Sequence, residues 1–249
     1  MQRNALTLFI KAILCVAASF TLLGASLAFQ QPGHAPGKSK PSVASPPQVA
    51  PPKESDKLDR PTSDPYTGSL SIFEDAKREE KLQINRVMDI LQIREGSRVA
   101  DIGAGSGWFT VRAARRVGAK GTVYAVEINR EYLKHIEERA AQEGHANVRA
   151  VLGKEDDPLL PEAGVDAVLL LKTYHEIAEP IRLMRNLRRS LSAGALVGII
   201  DRNGAGDDHG LDDRKVIAEA ERAGFTLVEQ HDFVKPDKMD YFLVFRARD

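Results

Sequence analysis

Cysteine occurs once in the 249 residues, at Cys15. The rest of the chain can form neither a disulfide nor a cysteine-built metal site, and thiol chemistry is excluded there. A prevailing sign of charge is also missing, because 35 Lys and Arg face 35 Asp and Glu. Without a global field the chain has no electrostatic draw toward nucleic acid or an anionic bilayer, so no nucleic-acid partner is expected. No internal repeat is present. What remains is ordinary for a globular protein: 43% apolar residues and a length that suits one large domain or two small ones.

The single cysteine falls in an N-terminal segment with its own signature. Arg3 and Lys11 precede an uncharged apolar run, Ala12 to Phe29, that closes on Ser26-Leu27-Ala28. A positive start, an apolar middle and small residues at the end make a secretory signal over residues 1–28. The run is also close to the roughly 20 residues that span a bilayer, so a retained anchor over residues 12–29 stays open. Leu14 stands before Cys15 where a lipid-attachment signal needs a small residue. Arg3 and Lys11 flank the run on one side and Lys38, Lys40 and Lys53 follow it on the other, which leaves orientation open. The domain is expected to be exported or membrane-anchored, touching the membrane only through this segment.

Nine of the 13 prolines lie between Pro32 and Pro65, among few large apolar side chains. Such a stretch cannot offset its ordering entropy by burial, so residues 29–65 read as an extended linker, with a proline-rich recognition ligand as the alternative. From Tyr66 to residue 249 the pattern alternates between helix and strand. Ser71 and Glu74 have capping-box spacing, followed by Ile84, Val87, Met88 and Leu91 at helical spacing. Strand-length apolar runs follow at Arg98–Ile102, Thr122–Val126, Val148–Leu152, Ala167–Leu171 and Leu196–Ile200. Helical patterns occupy Trp108–Val117, the region of Leu133 to Ala140, and Pro180–Leu191. This alternation predicts a parallel sheet covered on both faces. A helix from Arg214 to Ala223 precedes two further runs, Phe225–Val228 and Tyr241–Phe245, which are expected to pair antiparallel at the sheet's end.

The first strand runs into Asp101-Ile102-Gly103-Ala104-Gly105-Ser106-Gly107 and a helix starts at once at Trp108. Glycines there let the backbone turn sharply and approach a ligand at a helix N-terminus. In a dinucleotide fingerprint the third glycine comes one residue later, at the place Trp108 holds, so a nicotinamide cofactor is disfavoured. The next strand ends on Glu127, where an acid can accept both hydroxyl hydrogens of a ribose.

Val99 to Gly107, followed by Val123-Tyr124-Ala125-Val126-Glu127, resembles motif I and the acidic motif of class I S-adenosylmethionine-dependent methyltransferases. The resemblance implies an α/β, Rossmann-like doubly wound sheet of seven strands, mostly parallel with an antiparallel last strand. It implies S-adenosyl-L-methionine as cofactor, with Asp101, Gly103, Ala104, Gly105 and Gly107 at the methionine part and Glu127 at the ribose. The family's adenine contact follows the third strand, where this chain reads Gly153-Lys154-Glu155-Asp156. Lys154 stands in place of a common aspartate, and of Glu155 and Asp156 the latter is preferred.

After the fourth strand come Lys172-Thr173-Tyr174-His175-Glu176, and ligands of open parallel sheets sit outside the carboxyl ends of the strands. Tyr174, His175 and Glu176 are therefore the candidate catalytic residues, His175 and Glu176 as proton acceptors, or alternatively as a helix cap and pocket wall. Asp201-Arg202-Asn203 is similar to the Asp-Asn pair of metal-dependent catechol-type methyltransferases, but Lys172 replaces their other aspartate and no metal is expected. Asp207, Asp208 and His209 read as a solvated loop. The chain is expected to position an acceptor for in-line attack on an already activated methyl group. A small molecule or lipid headgroup suits the balanced charge, and a non-catalytic module that binds the cofactor is the alternative.

Overall fold

The computed structural model describes Leu58 and residues 60–206, 209–235 and 239–248. The expected signal or anchor segment and most of the proline-rich stretch lie outside the described residues. Seven strands form one sheet: β1 Arg98–Ile102, β2 Thr122–Glu127, β3 Val148–Leu152, β4 Val165–Leu171, β5 Leu191–Arg202, β6 Phe225–His231 and β7 Asp240–Ala247. Their order is β3-β2-β1-β4-β5-β7-β6, parallel except that β7 runs antiparallel to both β5 and β6. The expected fold class and the antiparallel closing pair are both present. Among the described residues two α-helices precede the sheet, α1 Arg78–Leu82 and α2 Ile84–Ile90, and four connect its strands: α3 Trp108–Val117, α4 Arg130–Gln142, α5 Pro180–Arg188 and α6 Asp213–Arg222.

Alternation along the strands divides the core into two layers. Ala100, Ile102, Val168, Leu170, Val197 and Ile199 pack with Leu183, Leu187 and Val216 of α5 and α6 on one face. Val99, Val123, Ala167, Leu169 and Ile200 pack with Val87, Phe109 and Val117 on the other. Fully burying a Val or Leu contributes about 1.5–3 kcal/mol, so central strands such as β4, apolar on both faces, anchor the sheet. Local chemistry fixes the helix starts. Asn129 Oδ1 accepts from the Glu131 and Tyr132 N–H groups to cap α4, Asp212 caps α6 through Arg214 N–H, and Pro180 occupies the first turn of α5.

The N-terminal region departs from the sequence expectation. Ser71 caps nothing; Ser69 precedes a 3-10 turn over Leu70–Phe73, and the Glu74 carboxylate is engaged instead by Ser106 Oγ and Arg139. The helical pattern is broken at Gln83, whose φ of 48° separates α1 from α2. The folded unit also begins before Tyr66: Leu58 packs on the core, Arg60 pairs with Glu219, and Ser63 is buried.

Candidate active site

A cavity of 760 Å³ opens at the carboxyl ends of β1, β2 and β4, within the range of small-molecule sites. Its floor is the β1–α3 loop. Gly103 has φ 71°, and a Cβ there would fall 2.3 Å from Thr173 Oγ1 after β4. Gly105 has φ 55°, and a Cβ there would stand beside Phe73, at 3.6 Å, on the cavity side. Only glycine gives both the turn and the open floor.

Asp101, at the end of β1, lines the cavity while its Oδ2 accepts from Thr110 Oγ1 at 2.6 Å. Burial pushes its carboxyl up to about 7, against the opposing pull of the Thr110 hydrogen bond and the Arg78 charge. Arg78 was not foreseen from sequence. Its guanidinium lies 4.6 Å from the Trp108 ring centroid, donates to the Phe73 carbonyl at 2.8 Å, and borders the cavity. Burial lowers its pKa to about 10, still far above neutrality, so a fixed cation borders the cavity beside Asp101 and the glycine loop.

Glu127 is held by the backbone. Oε2 accepts from Gly105 N–H at 3.0 Å, and Oε1 accepts from Ile128 N–H at 2.7 Å and Asn129 N–H at 3.1 Å. A carboxylate offers about four acceptor positions, so a ribose would use the remaining one and share Oε2 with the loop. The same acid therefore shapes the glycine loop and keeps one acceptor position open at the cavity.

Asp156 does not reach this cavity. The Lys154–Asp157 turn, closed by paired backbone hydrogen bonds, directs Asp156 to Arg182 Nε of α5 at 2.9 Å, and its carbonyl accepts from Asn186 Nδ2. Glu155 and Lys154 line the cavity in its place. Tyr174 is likewise displaced. Residues Tyr174–Glu176 form a 3-10 turn, in which successive side chains diverge by about 120°. That rotation puts His175 and Glu176 on the cavity and Tyr174 wholly inside the core. Burial, with the Glu219 carboxylate nearby, pushes its phenol well above the usual range.

His175 is fixed by Asp201 at the end of β5. Nδ1 lies 2.8 Å from Asp201 Oδ1, the backbone N–H donates to Oδ2 at 3.1 Å, and both side chains are buried. A carboxylate on Nδ1 sets the tautomer and leaves Nε2 for the cavity. Nε2 sits 3.7 Å from Glu176 Oε1, while Glu176 Oε2 accepts from Tyr66 N–H at 3.4 Å. Burial raises the Glu176 pKa, partly offset by His175 and by the Tyr66 hydrogen bond. His209 completes this end, its ring 5.8 Å from that of His175. Its neighbours Asp207 and Asp208 lie outside the described residues. Lys172 pairs with Asp240 and Asn203 accepts from Asp213 N–H, so neither forms a catechol-type metal set with Asp201.

Comparison with known proteins agrees with this geometry. A methyltransferase domain family matches residues 99–194, from β1 to β5. A nocamycin O-methyltransferase of Saccharothrix syringae is 34% identical over 33% of this chain and 30% of its own length. A ubiquinone/menaquinone biosynthesis C-methyltransferase of Idiomarina loihiensis is 28% identical over 46% of each chain. The chain thus spans less than half the length of these relatives. A crystal structure of a SAM-dependent methyltransferase from Aquifex aeolicus superposes with TM-score 0.65 at 25% identity, covering 71% of this chain and 95% of that one. The matched domain covers the part of the chain that holds the glycine floor, the loop-bound acid and the central strands, and the family match, the similar structure and the sheet order together support a class I S-adenosylmethionine-dependent methyltransferase with S-adenosyl-L-methionine as cofactor.

Proposed function

We propose that this protein methylates a nucleophilic oxygen or nitrogen of a small molecule or lipid headgroup. The observation that carries the reading is that one cavity is lined both by the glycine loop with Glu127 and Arg78 and by the His175 turn with His209. Gly105, Glu127 and Arg78 line it at the nucleoside and methionine side, and His175, Glu176 and His209 line it at the side where an acceptor enters. The cofactor, when bound, supplies a methyl group already activated on a sulfonium. The chain's residues have three tasks. The glycine loop and Glu127 hold the nucleoside, Arg78 and Asp101 hold the charged methionine end, and His175, aimed by Asp201, activates the acceptor. Such a buried, oriented imidazole has no use in a module that merely binds the cofactor. Balanced charge favours a small acceptor over nucleic acid.

Export, or anchoring by residues 12–29, completes the proposal and rests on the N-terminal pattern alone. Mass spectrometry of the mature N-terminus distinguishes the two forms. Purified protein given S-adenosyl-L-methionine labelled in the methyl group, with a panel of small hydroxyl, amine and headgroup acceptors, should release S-adenosylhomocysteine with at least one of them. Failure to bind the cofactor by calorimetry would refute the proposal outright.

A further inference from the structure

The acceptor end of the cavity brings together an imidazole and a carboxylate from the Tyr174–Glu176 turn and a second imidazole from the loop after β5. One ligand atom from each of His175, Glu176 and His209 lies within 4.8 Å of the others, with His175 Nε2 and Glu176 Oε1 at 3.7 Å. Two ligands of a tetrahedral zinc, each at about 2.0–2.2 Å, stand about 3.4 Å apart, so this pair is a few tenths of an ångström from coordinating distance. Too far apart for a hydrogen bond, the two groups leave room for an ion between them.

The surroundings hold each ligand from behind. Asp201 grips His175 Nδ1, which leaves Nε2 as the donor nitrogen. Tyr66 N–H engages Glu176 Oε2, which leaves Oε1. Ser63 ties the remaining positions together: its N–H donates to the His175 carbonyl at 3.3 Å, its hydroxyl donates to the Gly206 carbonyl at 3.1 Å, and its Oγ accepts from His209 N–H at 3.2 Å. A carboxylate behind the distal ring nitrogen is the usual outer partner of a metal-bound histidine.

We propose that His175, Glu176 and His209 bind one divalent ion of the zinc class, with an open coordination position facing the cavity. Two imidazoles and one carboxylate suit borderline ions such as Zn²⁺, whereas Mg²⁺ and Ca²⁺ take oxygen donors. The set differs from the catechol-type arrangement, since Asp201 orients a ligand and does not itself face the cavity. Binding of the ion stands independently of the methyl-transfer reading. Its consequence rests on that reading and modifies it: with the ion bound, His175 Nε2 serves as a ligand in place of a proton acceptor, and the open position selects an acceptor with an oxygen donor that the ion itself would activate at the methyl-transfer end.

Full-length protein stripped with a chelator and titrated with Zn²⁺ against a chromogenic competitor should take up one ion per chain. His209→Ala and Glu176→Gln should each weaken uptake at least about tenfold. Asp201→Asn, which removes only the support behind His175, should weaken it about 10–100-fold. His209 is exposed, so circular dichroism should show its variant folded. Co²⁺ in place of Zn²⁺ should give a visible absorption band that His209→Ala abolishes. His231 and Glu229, a pair 2.9 Å apart on β6 and away from this cavity, form the control, and His231→Gln should leave Zn²⁺ uptake unchanged. Glu127→Ala should lose cofactor affinity yet keep Zn²⁺, which separates failure of the metal site from failure of the cofactor site. Absence of a bound ion, or equal affinity in wild type and folded His209→Ala, overturns the proposal.

Discussion

Arg60 and Glu219 form a two-pronged ion pair, Nε to Oε1 at 2.7 Å and Nη2 to Oε2 at 3.1 Å, with side chains only 1% and 7% exposed. It fastens the segment that leads over the cavity to α6. Removing one partner of a buried pair costs about 3–5 kcal/mol, because the other charge is left without compensation. A chain starting at Tyr66, where sequence alone places the boundary, should therefore be less stable by about that amount than one starting at Leu58. Chemical denaturation of the two forms measures the difference, and equal midpoints with equal slopes would show that the pair adds nothing.

Cofactor affinity should collapse in Gly105→Val. The substitution forces a branched side chain into a positive-φ position and into the cavity beside Phe73. Glu127→Ala should cost about 2–4 kcal/mol of binding, since it removes a charge-assisted ribose hydrogen bond and frees the Gly105 loop together. Calorimetric titration with S-adenosyl-L-methionine decides both, and unchanged affinity in the two variants would remove the cofactor from this site.

The buried Asp101 should make the free protein's stability fall as pH rises. Folded, its pKa is about 7; unfolded, it returns to about 3.9. Between these values the folded chain retains a proton that the unfolded chain has released, so stability is lost with increasing pH, up to about 4 kcal/mol. Asp101→Asn lacks this term. Unfolding measured at pH 5 and pH 8 should show a larger drop in wild type than in Asp101→Asn, and parallel behaviour would refute the assignment.

The legible part of this molecule was the part written in local patterns. Apolar runs such as Ala167–Leu171, a glycine loop ahead of Trp108, and Glu127 at a strand end each carry their own signal, and together they imply the sheet and its ligand edge. Side-chain direction within a short turn does not. Tyr174, His175 and Glu176 read alike as neighbours, yet the 3-10 turn sends Tyr174 to the opposite side from the other two. Asp156 and Glu155 separate in the same manner. Asp201 was visible only as a possible ligand, because its contact with His175 depends on β4 and β5 pairing in register, Leu171 against Ile200, with Asp201 next along the strand. Arg78 had no signal, since its approach to Trp108 depends on how a five-residue helix docks.

The division between activating, positioning and packing residues can be tested with three substitutions. His175→Ala removes the ring that faces the acceptor end, so turnover should fall about 10²-fold or more while S-adenosyl-L-methionine affinity stays within a few fold. Asp201 touches only the far side of that ring. Asp201→Asn should lower kcat by a smaller factor and leave cofactor affinity unchanged, because the amide can no longer hold the same tautomer and ring orientation. A packing role alone would lower stability and leave the kcat of the folded protein unchanged. Tyr174→Phe keeps the core filled, and its hydroxyl does not border the cavity, so turnover should stay within about twofold of wild type. A large kcat loss in Tyr174→Phe, with His175→Ala still active, would reverse the assignment of the two residues. It would mean that the 3-10 turn rotates when an acceptor enters.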